Sequence, residues 1–216
     1  MEQRAAPLPA LSPDLVARVR STPFRHRRRL VAVAGPPASG KTTLAAALAQ
    51  ALGAAAAVPM DGFHLDNRVL DDRALRPRKG APETFDAAGF CAMVARLREE
   101  DEVVYPIFDR AQDQAIAGAC VVGPDCETVV LEGNYLLFRE APWATLAPLW
   151  DVSIWVETPL ETVRARCRAR WLAHGHSTDA ARARADTNDV PNAQRVIGGK
   201  LPADFAVGMD WTLRPE

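Results

Sequence analysis

The chain has 216 residues, 48% hydrophobic and 25% charged, with a formal net charge of -1, so it can build a sizeable core and carries no overall charge that would draw it to nucleic acid or a membrane surface. Its apolar runs are far below membrane-spanning length and no signal-peptide pattern opens it, which predicts a soluble, cytoplasmic protein. Cys91, Cys120, Cys126 and Cys167 have neither C-x-x-C spacing nor a matching histidine pair, so neither a zinc site nor a redox motif is supported.

In chain order, the first residues, with Pro7 and Pro9, are expected to be loosely attached. Ser12-Pro13-Asp14 then offers an N-cap and a proline at the first helical position, ahead of Leu15, Val16 and Val19. The cluster Arg25-His26-Arg27-Arg28-Arg29 reads as a solvated lead-in to a strand over Leu30–Ala34. A helix is predicted from Lys41 to Leu52, ended by Gly53, and a second strand over residues 54–60. Residues 65–84 are rich in Arg, Asp, Pro and Gly without periodicity, which suggests an ordered functional loop or a mobile flap.

Asp86 can cap a helix running through Phe90, Met93, Val94 and Leu97. A strand follows over residues 102–108, with Pro106 arguing for an edge. Short strands are expected at Thr128–Leu131 and Val152–Val156, then a strongly basic helix from Glu161 to Ala173 and another over Asp179–Asp186. Strands alternating with helices imply an α/β fold with a mostly parallel sheet flanked by helices. No linker divides the chain, so residues 29–216 are expected to form a single domain behind an N-terminal extension and helix, 1–28.

Between the first strand and its helix lies Gly35-Pro36-Pro37-Ala38-Ser39-Gly40-Lys41-Thr42-Thr43, a complete G-x-x-x-x-G-K-[ST] P-loop. The two glycines let consecutive N–H groups turn toward phosphate oxygens, and the helix adds the positive end of its dipole. Lys41 can reach the β- and γ-phosphates of ATP, and the Thr42 hydroxyl can join the shell of a Mg²⁺ ion.

Asp61 follows the second strand, so it should open on the same crevice as the P-loop, since ligands of α/β sheets bind at the carboxyl ends of the strands. It could accept the proton of a hydroxyl attacking the γ-phosphate; a turn aspartate before Gly62 is the competing explanation. His64 could touch substrate or be an ordinary loop histidine. Glu132, ending an apolar strand, has the layout of a Walker B carboxylate that holds Mg²⁺. Arg164, Arg166, Arg168, Arg170, Arg182 and Arg184 crowd the late helices; most read as solvated, with one or two available to close over a transferring phosphoryl group. No guanine-specifying N-K-x-D segment is present, which argues against a GTPase switch. A P-loop, a base, a metal carboxylate and a lid together fit a small-molecule kinase.

Met60-Asp-Gly-Phe-His-Leu-Asp-Asn67, Arg78-Lys-Gly-Ala-Pro-Glu-Thr-Phe-Asp86, Tyr105-Pro-Ile-Phe-Asp-Arg110 and Glu132-Gly-Asn-Tyr-Leu-Leu137 resemble, in order, the motifs of the phosphoribulokinase, uridine kinase and type I pantothenate kinase superfamily. Within it, the chain most resembles bacterial proteins labelled fructose transport system kinases, over about Leu30 to Asp204. The resemblance implies a P-loop NTPase fold of the nucleotide-kinase-like kind with a helical lid. It makes Asp61 the general base and Arg170 the lid arginine, and puts Lys79 and Glu83 in the substrate-side loop. Arg110 would line the acceptor pocket, with Tyr105 in the same motif and with Asn188 and Asn192 near lid and acceptor. Pantothenate kinases carry a histidine after Tyr-Ser where this chain has Tyr105-Pro106-Ile107, which argues against pantothenate. The expected acceptor is a sugar such as fructose, with a nucleoside such as uridine or a non-enzymatic nucleotide-binding partner of a sugar transporter as alternatives. The expected partners are thus a small hydroxyl substrate, ATP, Mg²⁺ and, for assembly, a second copy in a homodimer.

Overall fold

A computed structural model describes residues 10–215; the expectation for residues 1–9 lies outside them. The chain runs α1 (Pro13–Ser21), β1 (Arg29–Ala34), α2 (Lys41–Leu52), β2 (Ala55–Pro59), α3 (Asn67–Asp72), α4 (Ala87–Glu99), β3 (Val103–Asp109), β4 (Gln114–Val122), β5 (Thr128–Gly133), β6 (Val152–Val156), α5 (Leu160–Ala173), α6 (Thr178–Arg184), a π turn (Ala185–Asp189), α7 (Val190–Gly198) and β7 (Phe205–Val207).

Five strands form a parallel sheet in the order β2-β5-β1-β6-β7. Side chains of β1 alternate between its faces, as strand geometry requires. Leu30, Ala32 and Ala34 pack with α4 and the segment around Tyr135 and Trp143, while Val31 and Val33 pack with α1 and α2. Burial on both faces is why β1 and β5 read as unbroken apolar runs. The register places Val33, Glu132 and Pro59 in one row across β1, β5 and β2, so the P-loop, Glu132 and Asp61 all leave the sheet at one edge. Among the described residues no helix is long and apolar enough to cross a membrane.

Several expectations need correction. Residues 65–84 hold α3, capped by the Asp66 side chain on the Arg68 N–H, and two short 3₁₀ turns. Strand β4 was not foreseen, because Ala115, Ala117, Gly118 and Ala119 have little strand propensity; it pairs with β3 in a separate antiparallel hairpin, bulged around Pro106. Helix α7 was also missed: Pro191 looks like a breaker but occupies its first turn.

The arginine cluster before β1 is not wholly solvated. Arg28 is fully buried, and its guanidinium donates to the carbonyls of Leu97 (3.2 Å), Glu100 and Asp101 (2.5 Å) at the end of α4 and to Gly123 (3.0 Å) after β4. It satisfies carbonyls that a helix end leaves unpaired and ties α4 and the hairpin to β1. Arg28→Met should therefore destabilise the protein by about 3–5 kcal/mol, since it strands several buried acceptors, lowering Tm by about 10 °C. A thermal melt checks this; an unchanged Tm would show that water replaces the guanidinium.

Candidate active site

At the carboxyl edge of the sheet lies a cavity of about 1020 Å³. Pro37 to Thr43 form one wall, with Ala38 (φ 57°) and Gly40 (φ 92°) in the left-handed region that curls the loop. The Lys41 Nζ, inside this wall, donates to the Pro36 carbonyl (2.9 Å) and the Ser39 hydroxyl (3.4 Å). Beside it the Thr42 hydroxyl donates to Glu132 Oε1 at 2.9 Å. Burial pushes the Lys41 ammonium below its ordinary pKa and the Glu132 carboxyl above its own, each effect partly offset by the other group's charge.

Asp61 stands in a 3₁₀ turn after β2, with Oδ2 accepting from Arg110 at 2.6 Å. Gly62 is required there: a Cβ would come 2.1 Å from the Pro106 carbonyl oxygen. That close approach brings the β3 hairpin, and with it Arg110, against Asp61. His64 lies between the rings of Phe85 and Phe108, at centroid distances of 4.1 and 4.5 Å, and its Nδ1 donates to the Asp61 carbonyl at 2.7 Å. Burial lowers its pKa, so the imidazole is neutral near pH 7 with Nε2 left as an acceptor. Lys79 donates to Asn67 Oδ1 (2.7 Å) and pairs with Asp113 (2.8 Å), its ammonium 5.1 Å from the centre of the Phe108 ring.

The basic helices fold over this opening. Arg164 and Arg168 are neutralised by Asp186 in the π turn, and Arg166 donates to the P-loop carbonyl of Ala38 at 3.1 Å. These arginines thus knit the lid together where the sequence suggested solvated faces. Arg170 lines the cavity and pairs with buried Asp189 at 3.2 Å; Asp189 also accepts from the Trp171 indole N–H at 2.6 Å. Trp171 lies between the guanidinium groups of Arg170 and Arg184. Arg184 and Asn188 donate to the Lys79 carbonyl, at 3.2 and 3.0 Å, fastening the lid to the 65–84 segment.

Of the residues predicted for the site, Pro37 to Thr43, Asp61, His64, Lys79, Arg110, Glu132 and Arg170 line the cavity. Five others stand off its wall. Gly35 lies against Val156 and Ser39, and Pro36 supplies the carbonyl that holds Lys41. Glu83 is taken up by Arg78 (3.0 Å) and Arg195 (2.9 Å). Tyr105 is buried in the core opposite Cys120, its pKa pushed up to about 12 by burial. Asn188 stands behind Lys79, while Asn192, which reaches the wall, donates to Asn188 Oδ1 at 3.3 Å. Asp113, Asp189 and Arg184 line the cavity without having been singled out for it; only the Trp171 beside Arg170 gave a local hint.

Among the described residues no group of three or more His, Cys, Asp or Glu could hold a metal. The Thr42 and Glu132 oxygens nevertheless fit Mg²⁺, a hard cation that takes one or two protein oxygens and fills its octahedron with water and phosphate.

The sequence matches the family described as "Phosphoribulokinase / Uridine kinase family" over residues 30–198. The crystal structure of a "putative fructose transport system kinase" from Silicibacter sp. TM1040 superposes with a TM-score of 0.85 at 51% identity, over 89% of this chain and 95% of that one. "Uncharacterized protein YggC" of Escherichia coli is 37% identical over 190 residues, 85% of this chain and 79% of that protein. "ATP-dependent kinase-like protein notR'" of Aspergillus versicolor is 34% identical over 163 residues, 70% of this chain and 95% of that protein.

Proposed function

We infer, from a chain that belongs to the phosphoribulokinase / uridine kinase family and is a kinase transferring phosphate to a hydroxyl group, that it moves the γ-phosphate of ATP to a sugar, D-fructose or a relative. The observation that carries this is the meeting, in one cavity, of the P-loop, Lys41, the Thr42–Glu132 pair and Asp61. The P-loop amides and Lys41 would hold the β- and γ-phosphates and neutralise charge as it develops, with Arg170 acting from the lid. Thr42 and Glu132 would hold Mg²⁺, which supplies further neutralisation of the phosphates.

Asp61 would orient the acceptor hydroxyl and take its proton. As that oxygen bonds to the γ-phosphorus, the bond to the β–γ bridging oxygen breaks and ADP leaves. Catalysis of this kind is mostly positioning and electrostatics. We place the reaction in the cytoplasm and in a single domain, residues 29–216.

A sugar is favoured by the acceptor end of the cavity. Asp61, Lys79, Arg110 and Asp113 supply hydrogen-bonding groups there. The rings that could stack on a nucleobase are engaged already: Phe85 and Phe108 by His64, Trp171 by two arginines. The printed name of the 51% identical relative points the same way. Uridine is the second candidate, on the family description alone.

Product analysis by mass spectrometry after incubation with Mg·ATP and, separately, D-fructose, other sugars, uridine and pantothenate tests the assignment. A phosphorylated sugar is expected; phosphouridine with unreacted sugars would overturn it.

A further inference from the structure

We propose that the acceptor carries an anionic group, a carboxylate or a phosphate ester, and that this group takes Arg110 from Asp61 on binding, so that the acceptor itself releases the base. The inference rests on the kinase reading above and narrows its substrate class.

Arg110 makes a single hydrogen bond or ion pair among the described residues, the 2.6 Å contact with Asp61 Oδ2. In that arrangement one lone-pair direction of the proposed base is filled by a guanidinium, and a water or hydroxyl cannot use it. The Arg110 side chain is 58% exposed and that of Asp61 26%, so the pair is solvated enough to exchange at little cost. A neutral hydroxyl competes poorly for a guanidinium already facing a carboxylate. A second carboxylate or a phosphate offers it the same charge-assisted, forked geometry.

The charge of the cavity wall agrees. At the acceptor end Arg76, Lys79, Arg110 and Arg184 face only Asp61 and Asp113. Lys79 is matched by Asp113, and Arg76 finds its partner, Asp71, away from the wall. Arg184 has no carboxylate partner among the described residues, donating instead to the carbonyls of Pro77 and Lys79. At the P-loop end Lys41 and Arg170 are balanced by Glu132 and Asp189. The uncompensated cations therefore lie where the acceptor would sit. A guanidinium that leaves Asp61 for the acceptor's anion couples acceptor binding to exposure of the base, and withholds the base from water when no acceptor is present.

The test compares neutral and anionic partners of one skeleton: glycerol with D-glycerate, D-glucose with D-gluconate, and D-fructose with its 1- and 6-phosphates. kcat/KM for each is measured with Mg·ATP in the wild type and in Arg110→Gln and Arg110→Lys. The wild type should prefer an anionic member by about tenfold or more, as the loss of one charge-assisted contact implies; the sugar acids and sugar phosphates separate carboxylate from phosphate. Arg110→Gln should lose that preference through a raised acceptor KM, with KM for ATP unchanged and acceptor-independent ATP hydrolysis above wild type. Arg110→Lys should keep part of the preference.

Efficient transfer to neutral members only would overturn the inference and leave the kinase reading standing. Equal losses on both members, or a raised KM for ATP alone, would put Arg110 on the nucleotide and overturn it as well. ATP binding without transfer to any sugar, acid or phosphate would remove the sugar-kinase reading, and this inference with it.

Discussion

Replacing Lys41 by methionine is expected to lower turnover by about 10²–10³-fold, the scale of losing one preorganised charge aimed at the transferring phosphate, while the protein keeps its fold and thermal stability. The side chain is buried, and its ammonium contacts only the Pro36 carbonyl and Ser39 hydroxyl in the loop it belongs to. Burial already disfavours its charge, so a methionine of similar length removes a desolvated cation without opening a void. The functional loss is therefore separable from stability. Steady-state kinetics beside a thermal melt reads both. A variant that melts many degrees lower would mean that the ammonium organises the loop and does more than neutralise phosphate.

Asp61→Asn should cut turnover by about 10²–10⁴-fold, the range for removing a positioned general base, with nucleotide affinity close to wild type. The substitution keeps the shape of the side chain, and the closely packed backbone around Gly62 is not touched. What changes is that an amide cannot take up a hydroxyl proton. The contact with Arg110 is weakened too, so KM for the acceptor should move as well as kcat. Calorimetric titration with a non-hydrolysable ATP analogue separates nucleotide binding from turnover. Near-normal turnover in this variant would remove Asp61 from the chemistry and leave it as a partner of Arg110.

Much of this site was legible in the residue order. The P-loop declares itself because its chemistry is backbone chemistry: Gly35, Gly40, Lys41 and Thr42 must stand at fixed spacing between a strand and a helix, and α2 occupies the predicted Lys41–Leu52. Asp61 and Glu132 were placed by their positions at strand ends, which the parallel register brings to one edge. Other features depend on tertiary partners that no local pattern reveals. Arg28 sits within a run of basic residues, and only the end of α4 and the turn after β4 make it a buried anchor. Tyr105 and Glu83 lie in motif strings yet face the core and Arg195 respectively. Asp189 depends on a π turn that aims it at both Arg170 and Trp171, and i+5 backbone bonding leaves no clear periodic trace in sequence. The alanine- and glycine-rich β4 forms because β3 is there to pair with it, an instance of context overriding propensity.

The central claim is that one cavity holds ATP by the P-loop and an acceptor hydroxyl by Asp61. It is tested most directly by measuring ADP release from the purified protein with Mg·ATP, with and without sugars, sugar acids and sugar phosphates, with Asp61→Asn in parallel. The account predicts stimulation by at least one of these acceptors and its near-complete loss in Asp61→Asn. ADP release that no acceptor stimulates, or that Asp61→Asn supports as well as the wild type, would contradict it.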